Sequence, residues 1–279
     1  MSTGGHVLLQ DLYGHVAEAE FDQSIFHFFE MPANVFSFTC HVAVHPTEKK
    51  IVLLHQDHYG IGSVDDENGN SENELMKSGY RIERSVPLGR ALKCAMYEFH
   101  LWPQEERMRV VQELNQVRIN RNQIPIRYCS LAVSVLIENE VTGRVLITRR
   151  ARHMRSFPCV WVTPGGSIED GDASLLATAQ REVKEETGID VDLDHIEMYC
   201  MWESVFPRYL SIGTPSHHHL ILYYRALVHI EDETSVVMQE EEVDAFAWLD
   251  HVFVQQLLAQ ESDARFTAFE NVKCDDTSH

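Results

Sequence analysis

Glu182, Glu185 and Glu186 are the residues through which this chain could do chemistry. They stand in Arg181-Glu182-Val183-Lys184-Glu185-Glu186-Thr187-Gly188-Ile189. Ser174 can cap a helix here by accepting from first-turn amides, and Gly188 can end it in the left-handed conformation. With 3.6 residues per turn, Leu175, Leu176, Ala179 and Val183 share one face. The three glutamates fall on the adjacent arc, with Glu186 nearest the apolar edge. Like charges four residues apart repel by ~0.2–0.5 kcal/mol per pair. Arg181 can reach Glu185 one turn on and offset part of this; a cation relieves the rest. All-oxygen ligands select a hard ion, Mg2+ or Mn2+. Gly165-Gly166 lets backbone carbonyls approach such an ion without side-chain obstruction. Alone, Glu-x-x-Glu-Glu is ordinarily a solvated helix face. The joint pattern of strand, Pro164-Gly165-Gly166, acidic loop and helix is what points to a site.

The elements that must hold this segment are legible as alternations and breaks. Residues 131–137, 144–148, 160–162, 196–202, 219–228 and 245–249 read as strands, and 252–259 as a closing helix with Val254, Leu257 and Leu258 inward. Earlier in the chain, 35–44 and 51–54 read as a hairpin turning through His45-Pro46, and another strand is expected near 80–84. Met108, Val111, Leu114 and Val117 recur at helical spacing after Pro103. The organisation expected is a smaller α+β N-terminal domain over 1–125, with a solvated acidic loop at 63–79, a second domain over 126–262 and a tail over 263–279.

The balance of 43 acidic against 23 basic residues, a formal charge of −20, excludes broad grips on a nucleic-acid backbone or an anionic membrane. DNA is therefore not an expected partner. The acid excess falls mostly after residue 127, where bound metal would reverse the local sign met by a phosphate. No apolar stretch reaches membrane-spanning length, and Met1–His6 does not read as a secretory leader. Six scattered cysteines without a C-x-x-C pair suggest free thiols in a reducing compartment, hence the cytoplasm with or without the nucleus.

The segment from Gly166 to Ile189 resembles the Nudix box, and its second half, Arg181–Ile189, matches that pattern at every defined position. The first half departs: Asp172 stands where the family has Glu, and one extra residue, most easily Ala173, lengthens the loop. The likeness extends over about 127–260. Through Trp161–Gly166, Trp202–Arg208 and the His217-His218-His219 run, it is most similar to the vertebrate motif-17 type.

The resemblance implies a Nudix-type α/β/α sandwich with a mixed sheet. It also implies metal-dependent hydrolysis of a nucleoside diphosphate linked to another moiety, including a capped RNA 5′ end. A Nudix-fold module that binds a nucleotide and turns over slowly is the alternative. Carried onto these residues, the Gly165 carbonyl, Glu182, Glu185 and Glu186 hold the metal. One of the glutamates, or a loop acid, orients or deprotonates the attacking water; Glu182, Glu185 and Arg181 are the catalytic candidates, Arg181 fixing a carboxylate rotamer. Asp172 and Glu241 are candidate additional acids, Arg149 and Arg150 phosphate ligands, and Trp202 and Phe206 base platforms. Adjacent strand residues face opposite ways, so the three histidines cannot share one ion, and at most one faces substrate.

Overall fold

The computed structural model describes residues 5–11, 15–54, 75, 78–91, 93–154 and 157–263. Most of the expected acidic loop at 63–79 and all but the first residue of the expected tail lie outside these residues. The chain divides into two compact units whose segments interleave: Met1–Val133, Ser167–Thr178 and Met198–Tyr223 form the first, and Ser134–Gly166, Ala179–Glu197 and Tyr224–His279 the second. Strands pair both parallel and antiparallel and helices accompany them, which makes the class α+β.

In the first unit the expected hairpin is β3 (Ser37–Val44) with β4 (Lys50–Leu54), antiparallel with Val44 opposite Ile51. β1 (His6–Gln10) lies parallel to β4 and antiparallel to β2 (Val16–Glu18). The strand expected near 80–84 runs on as β5 (Arg81–Arg90), antiparallel to β3. β9 (Ile196–Phe206) lies parallel to β5, pairing Gly89 with Trp202 and Arg90 with Glu203. Fully enclosed Ala43, Val52 and Leu54 form a core on which Leu8 and Tyr80 pack. Two short helices, α1 (Ile25–Phe28) and α2 (Ala95–His100), bury Ile25, Phe26, Met96 and Phe99.

The helix expected after Pro103 is α3 (Gln104–Asn120), and its apolar stripe is only partly covered, with Val111 and Leu114 half-buried. It has no buried residue, and Met108 and Val117 are about half exposed at 50% and 47%. Polar side chains dock it as well. Arg107 reaches the Asp22 carboxylate at 3.0 Å, Asn115 bonds both main-chain groups of Ile126, and Arg118 donates through Nε to the Ile124 carbonyl at 2.7 Å.

In the second unit β7 (Arg144–Arg150) is central, antiparallel to β6 (Ser130–Asn139), β8 (Trp161–Val162) and β11 (Val243–Leu249). β10 (His217–Val228) and α4 (Leu175–Thr187) each contribute residues to both units. The closing helix is α5 (His251–Asp263), and Leu257 is exposed on it, contrary to the inward position expected from periodicity. Cys40, Cys94, Cys129 and Cys200 are free thiols. Cys159 is disulfide-bonded, which corrects the expectation of free thiols throughout. No described helix is long and apolar enough to cross a membrane.

Candidate functional site

The loop before α4 shows why the sequence starts its helix where it does. Ser174 Oγ accepts from the Ala177 amide at 3.1 Å and satisfies a first-turn donor. Asp172 accepts through Oδ2 from the Glu169 amide and from Thr178 Oγ1, at 2.8 and 2.9 Å. The upstream acid is thus tied into the loop, clamping it to the first turn of α4. At the other end Gly188, with a φ of 70°, closes the helix, and its N–H donates to the Lys184 carbonyl.

Within the second unit the three glutamates separate. Glu182 and Glu186 are buried, at 7% and 3% exposure, Glu186 being the least solvated as its place beside the apolar edge predicts. Glu185 keeps 48% of its side chain exposed. Arg181 holds Glu182 at 3.0 Å and Glu185 at 2.9 Å through one terminal nitrogen, Nη1. Gly165, at a φ of 156°, donates its N–H to the Glu186 carboxylate, and the Pro164 carbonyl accepts from Val135, anchoring the turn to β6.

Burial sets the electrostatics. It pushes the Glu182 carboxyl up to about 7, against the pull of Arg181 and with the repulsion of Glu185 and Glu242. It pushes Glu186 up to about 7 as well, aided by repulsion from Glu182 and opposed by the Gly165 amide and Arg150. Two adjacent buried carboxyls that resist ionisation are a place where a hard cation is favourable. Among the described residues, no three carboxylate, imidazole or thiol groups already converge as a ligand set. A metal would find Glu182 and Glu186 together and Glu185 still engaged by Arg181.

Neighbouring elements complete the surroundings. Thr148, fully buried on β7, donates from Oγ1 to Glu186 at 3.5 Å. Strand alternation puts Arg150 on the Thr148 face, where its charge acts on Glu186. Arg149 faces the other way, paired with Asp244 at 2.6 Å and stacked 5.7 Å from the Trp161 ring centroid. The two arginines that were paired as phosphate ligands therefore part, and only Arg150 looks toward the carboxylates. Of the acids before β11, Glu242 is the one whose charge reaches Glu182 and Glu186. Glu241 is exposed and offers its main-chain carbonyl to His153.

The sequence does not point to Thr148, and within the acidic run Glu240-Glu241-Glu242 the expected residue is Glu241, whereas the charge that reaches the site is that of Glu242.

The remaining expected residues belong to the first unit. The Trp202 ring lies against Gly89, where an added Cβ would meet its Cε3 at 2.8 Å. Phe206 is exposed and sits edge-on to His217, 6.1 Å between ring centroids. The histidine run alternates as strand geometry requires: His217 and His219 stack on one face at 6.1 Å, and His218 points inward. His218 donates from Nδ1 to the Phe21 carbonyl at 2.9 Å and pairs through Nε2 with buried Glu203 at 3.2 Å.

Residues 130–268 match the NUDIX domain family model. The chain carries a Nudix domain. It is 39% identical over 145 residues to the m7GpppN-mRNA hydrolase NUDT17 of Xenopus laevis, covering 50% of this chain and 47% of that protein. To the Danio rerio protein of the same name it is 32% identical over 208 residues, covering 71% and 64%. The chain thus spans about half to two thirds of the length of these relatives. Among solved structures, the NUDIX domain of Shewanella oneidensis NrtR complexed with ADP ribose is 21% identical with a TM-score of 0.36, covering 53% of this chain and 99% of that one. The E. coli dihydroneopterin triphosphate pyrophosphohydrolase is 27% identical with a TM-score of 0.32, covering 43% and 80%. The Nudix domain includes α4 and the double glycine before it, so the buried carboxylates lie on the segment that the family shares.

Proposed function

We propose that the Nudix domain is a Mg2+- or Mn2+-dependent pyrophosphohydrolase acting on a nucleoside diphosphate linked to another moiety, and that a capped RNA 5′ end is its substrate. The observation that carries this reading is the buried pair Glu182 and Glu186, held near neutrality by desolvation beside a glycine turn. The cap is suggested by the name of the relatives, the m7GpppN-mRNA hydrolases of frog and zebrafish. A charge of −20 suits recognition of an RNA end in place of a long backbone.

The residues present suit a hard divalent ion in chemistry: two buried carboxylates and the Gly165 carbonyl would hold it, with Glu185 joining on leaving Arg181. Such an ion, when bound, lowers the pKa of water and neutralises diphosphate oxygens. The chain's own part is positioning. Arg181 sets the Glu182 rotamer, and Thr148 sets that of Glu186. Arg150 offers a guanidinium to a substrate phosphate from the same face of β7.

The test is a panel of capped RNA, dinucleotide, CoA and ADP-sugar substrates with Mg2+ or Mn2+, comparing wild type with Glu185→Gln and Glu186→Gln. Metal-dependent turnover that is greatest on capped RNA and lost in Glu186→Gln supports the reading. Activity without metal, or variants as fast as wild type, overturns it. Nucleotide binding with no turnover on any substrate assigns the domain as a binding module instead.

A further inference from the structure

A cavity of about 480 Å3 opens within the first unit, between the end of α3, the segment 124–128 and the first residues of β6. Sites for small organic ligands typically measure ~300–1,000 Å3. Ile124, Ile126, Leu131 and Ile168 give it an aliphatic wall. Two guanidiniums, Arg118 and Arg127, also line it. Arg118 uses its Nε on the Ile124 carbonyl, and no described carboxylate pairs with its terminal nitrogens. Arg127 stacks 5.0 Å from the Tyr128 ring centroid, also without a described carboxylate partner.

Acids outnumber bases by 43 to 23, and Arg107, Arg144, Arg149, Arg181 and Arg225 each hold one. The carboxylate on the cavity wall, Glu18, is engaged by His6 at 2.6 Å. Burial, with the charges of His218 and His217, pushes His219 on the same wall down to about 4, so its imidazole is neutral and can accept a hydrogen bond.

We propose that this cavity binds a phosphate monoester with an aromatic body, such as a nucleoside monophosphate, its phosphate on Arg118 and Arg127 and its ring on the aliphatic wall. The two halves of the lining select together. A bare anion would leave the aliphatic wall wet. An uncharged ring would cover guanidiniums without pairing them, which costs free energy. Phosphate oxygens match the planar fork of arginine donors, and two forks suit a dianion. None of this depends on the carboxylates of α4.

The experiment is calorimetric titration of the full chain in EDTA with AMP, adenosine and inorganic phosphate. AMP is expected to bind at least tenfold more tightly than either fragment. The double variant Arg118→Gln/Arg127→Gln loses at least tenfold in AMP affinity. Arg118→Lys/Arg127→Lys, which keeps the charge but not the fork, falls between. Glu186→Gln binds AMP as wild type does, which separates this site from the proposed hydrolase centre. No AMP binding by wild type, equal binding of AMP and phosphate, unchanged binding in the double Gln variant with an unchanged melting temperature, or loss in Glu186→Gln overturns the proposal.

Discussion

The Glu182 carboxylate rests directly on the backbone of Gly166: a Cβ at that position would stand 2.5 Å from Oε1 and 2.7 Å from Oε2. The second glycine of Pro-Gly-Gly is therefore a requirement of close approach, and it is what lets a glutamate on α4 be buried against a turn.

Gly166→Ala should push the Glu182 side chain out of place while leaving the strands and helix formed. Misplacement of a catalytic group by ~1 Å costs about 100-fold, so metal-dependent hydrolysis should fall by about that factor with a melting temperature close to wild type. Full activity in the variant would show that the position of Glu182 does not matter to turnover.

Metal-free stability should depend on pH through the buried pair. Glu182 and Glu186 have carboxyls up at about 7 in the folded protein, against 4.5 as the ordinary value. Between those values the folded chain holds more protons than the unfolded one, so raising the pH through this window destabilises the fold, and the loss is complete above about 7. Glu186→Gln removes one such group. In EDTA, the urea-unfolding stability of the variant relative to wild type should increase from pH 5 to pH 8, by on the order of 2 kcal/mol. Millimolar Mg2+ at pH 8 should raise the melting temperature of wild type and not of the variant. A stability difference that stays flat with pH would refute the burial argument.

Arg181 touches both Glu182 and Glu185 through Nη1, at 3.0 and 2.9 Å. It orients carboxylates from outside the reacting atoms. Groups of this kind are typically worth ~10–100-fold in metal affinity or activity. Arg181→Ala should raise the Mg2+ concentration needed for half-maximal activity and lower kcat, with KM for the substrate little changed. A rise in KM alone would mean that the guanidinium binds substrate.

Glu203 and His218 should dominate the stability of the first unit. Glu203 accepts from the Ile25 amide at 2.9 Å at the start of α1 and pairs with His218 at 3.2 Å, both side chains fully enclosed. Removing one partner of such a pair leaves the other buried without compensation and costs ~3–5 kcal/mol. Glu203→Ala should lower the urea midpoint accordingly. Glu203→Gln, which keeps an acceptor for Ile25, should lose less. Equal losses in the two variants would show that packing, not the polar contacts, sets the cost.

Much of this protein was determined locally. Alternation at 131–137 and 144–148, Ser174 before the helix and Gly188 after it, and the spacing of Glu182, Glu185 and Glu186 depend on near neighbours in the chain, and the structure keeps all of them. The low solvation of Glu186 followed from its angular place on the helix. The sharing of one face by His217 and His219, with His218 on the other, followed from strand alternation.

Tertiary structure decided what distant segments bring to one place. The contact of Thr148 on β7 with Glu186 on α4 shows which face of β7 meets the carboxylates, and alternation then selects Arg150 over Arg149. The irregular start of β11 accompanies the choice of Glu242 over Glu241. Polar contacts of Arg107, Asn115 and Arg118 with residues 22, 126 and 124 hold α3, whose apolar stripe is only half-buried. Periodicity along one segment specifies which residues share a face. It carries no information about which remote partner that face will meet, because register and burial are settled by contacts between segments far apart in the chain.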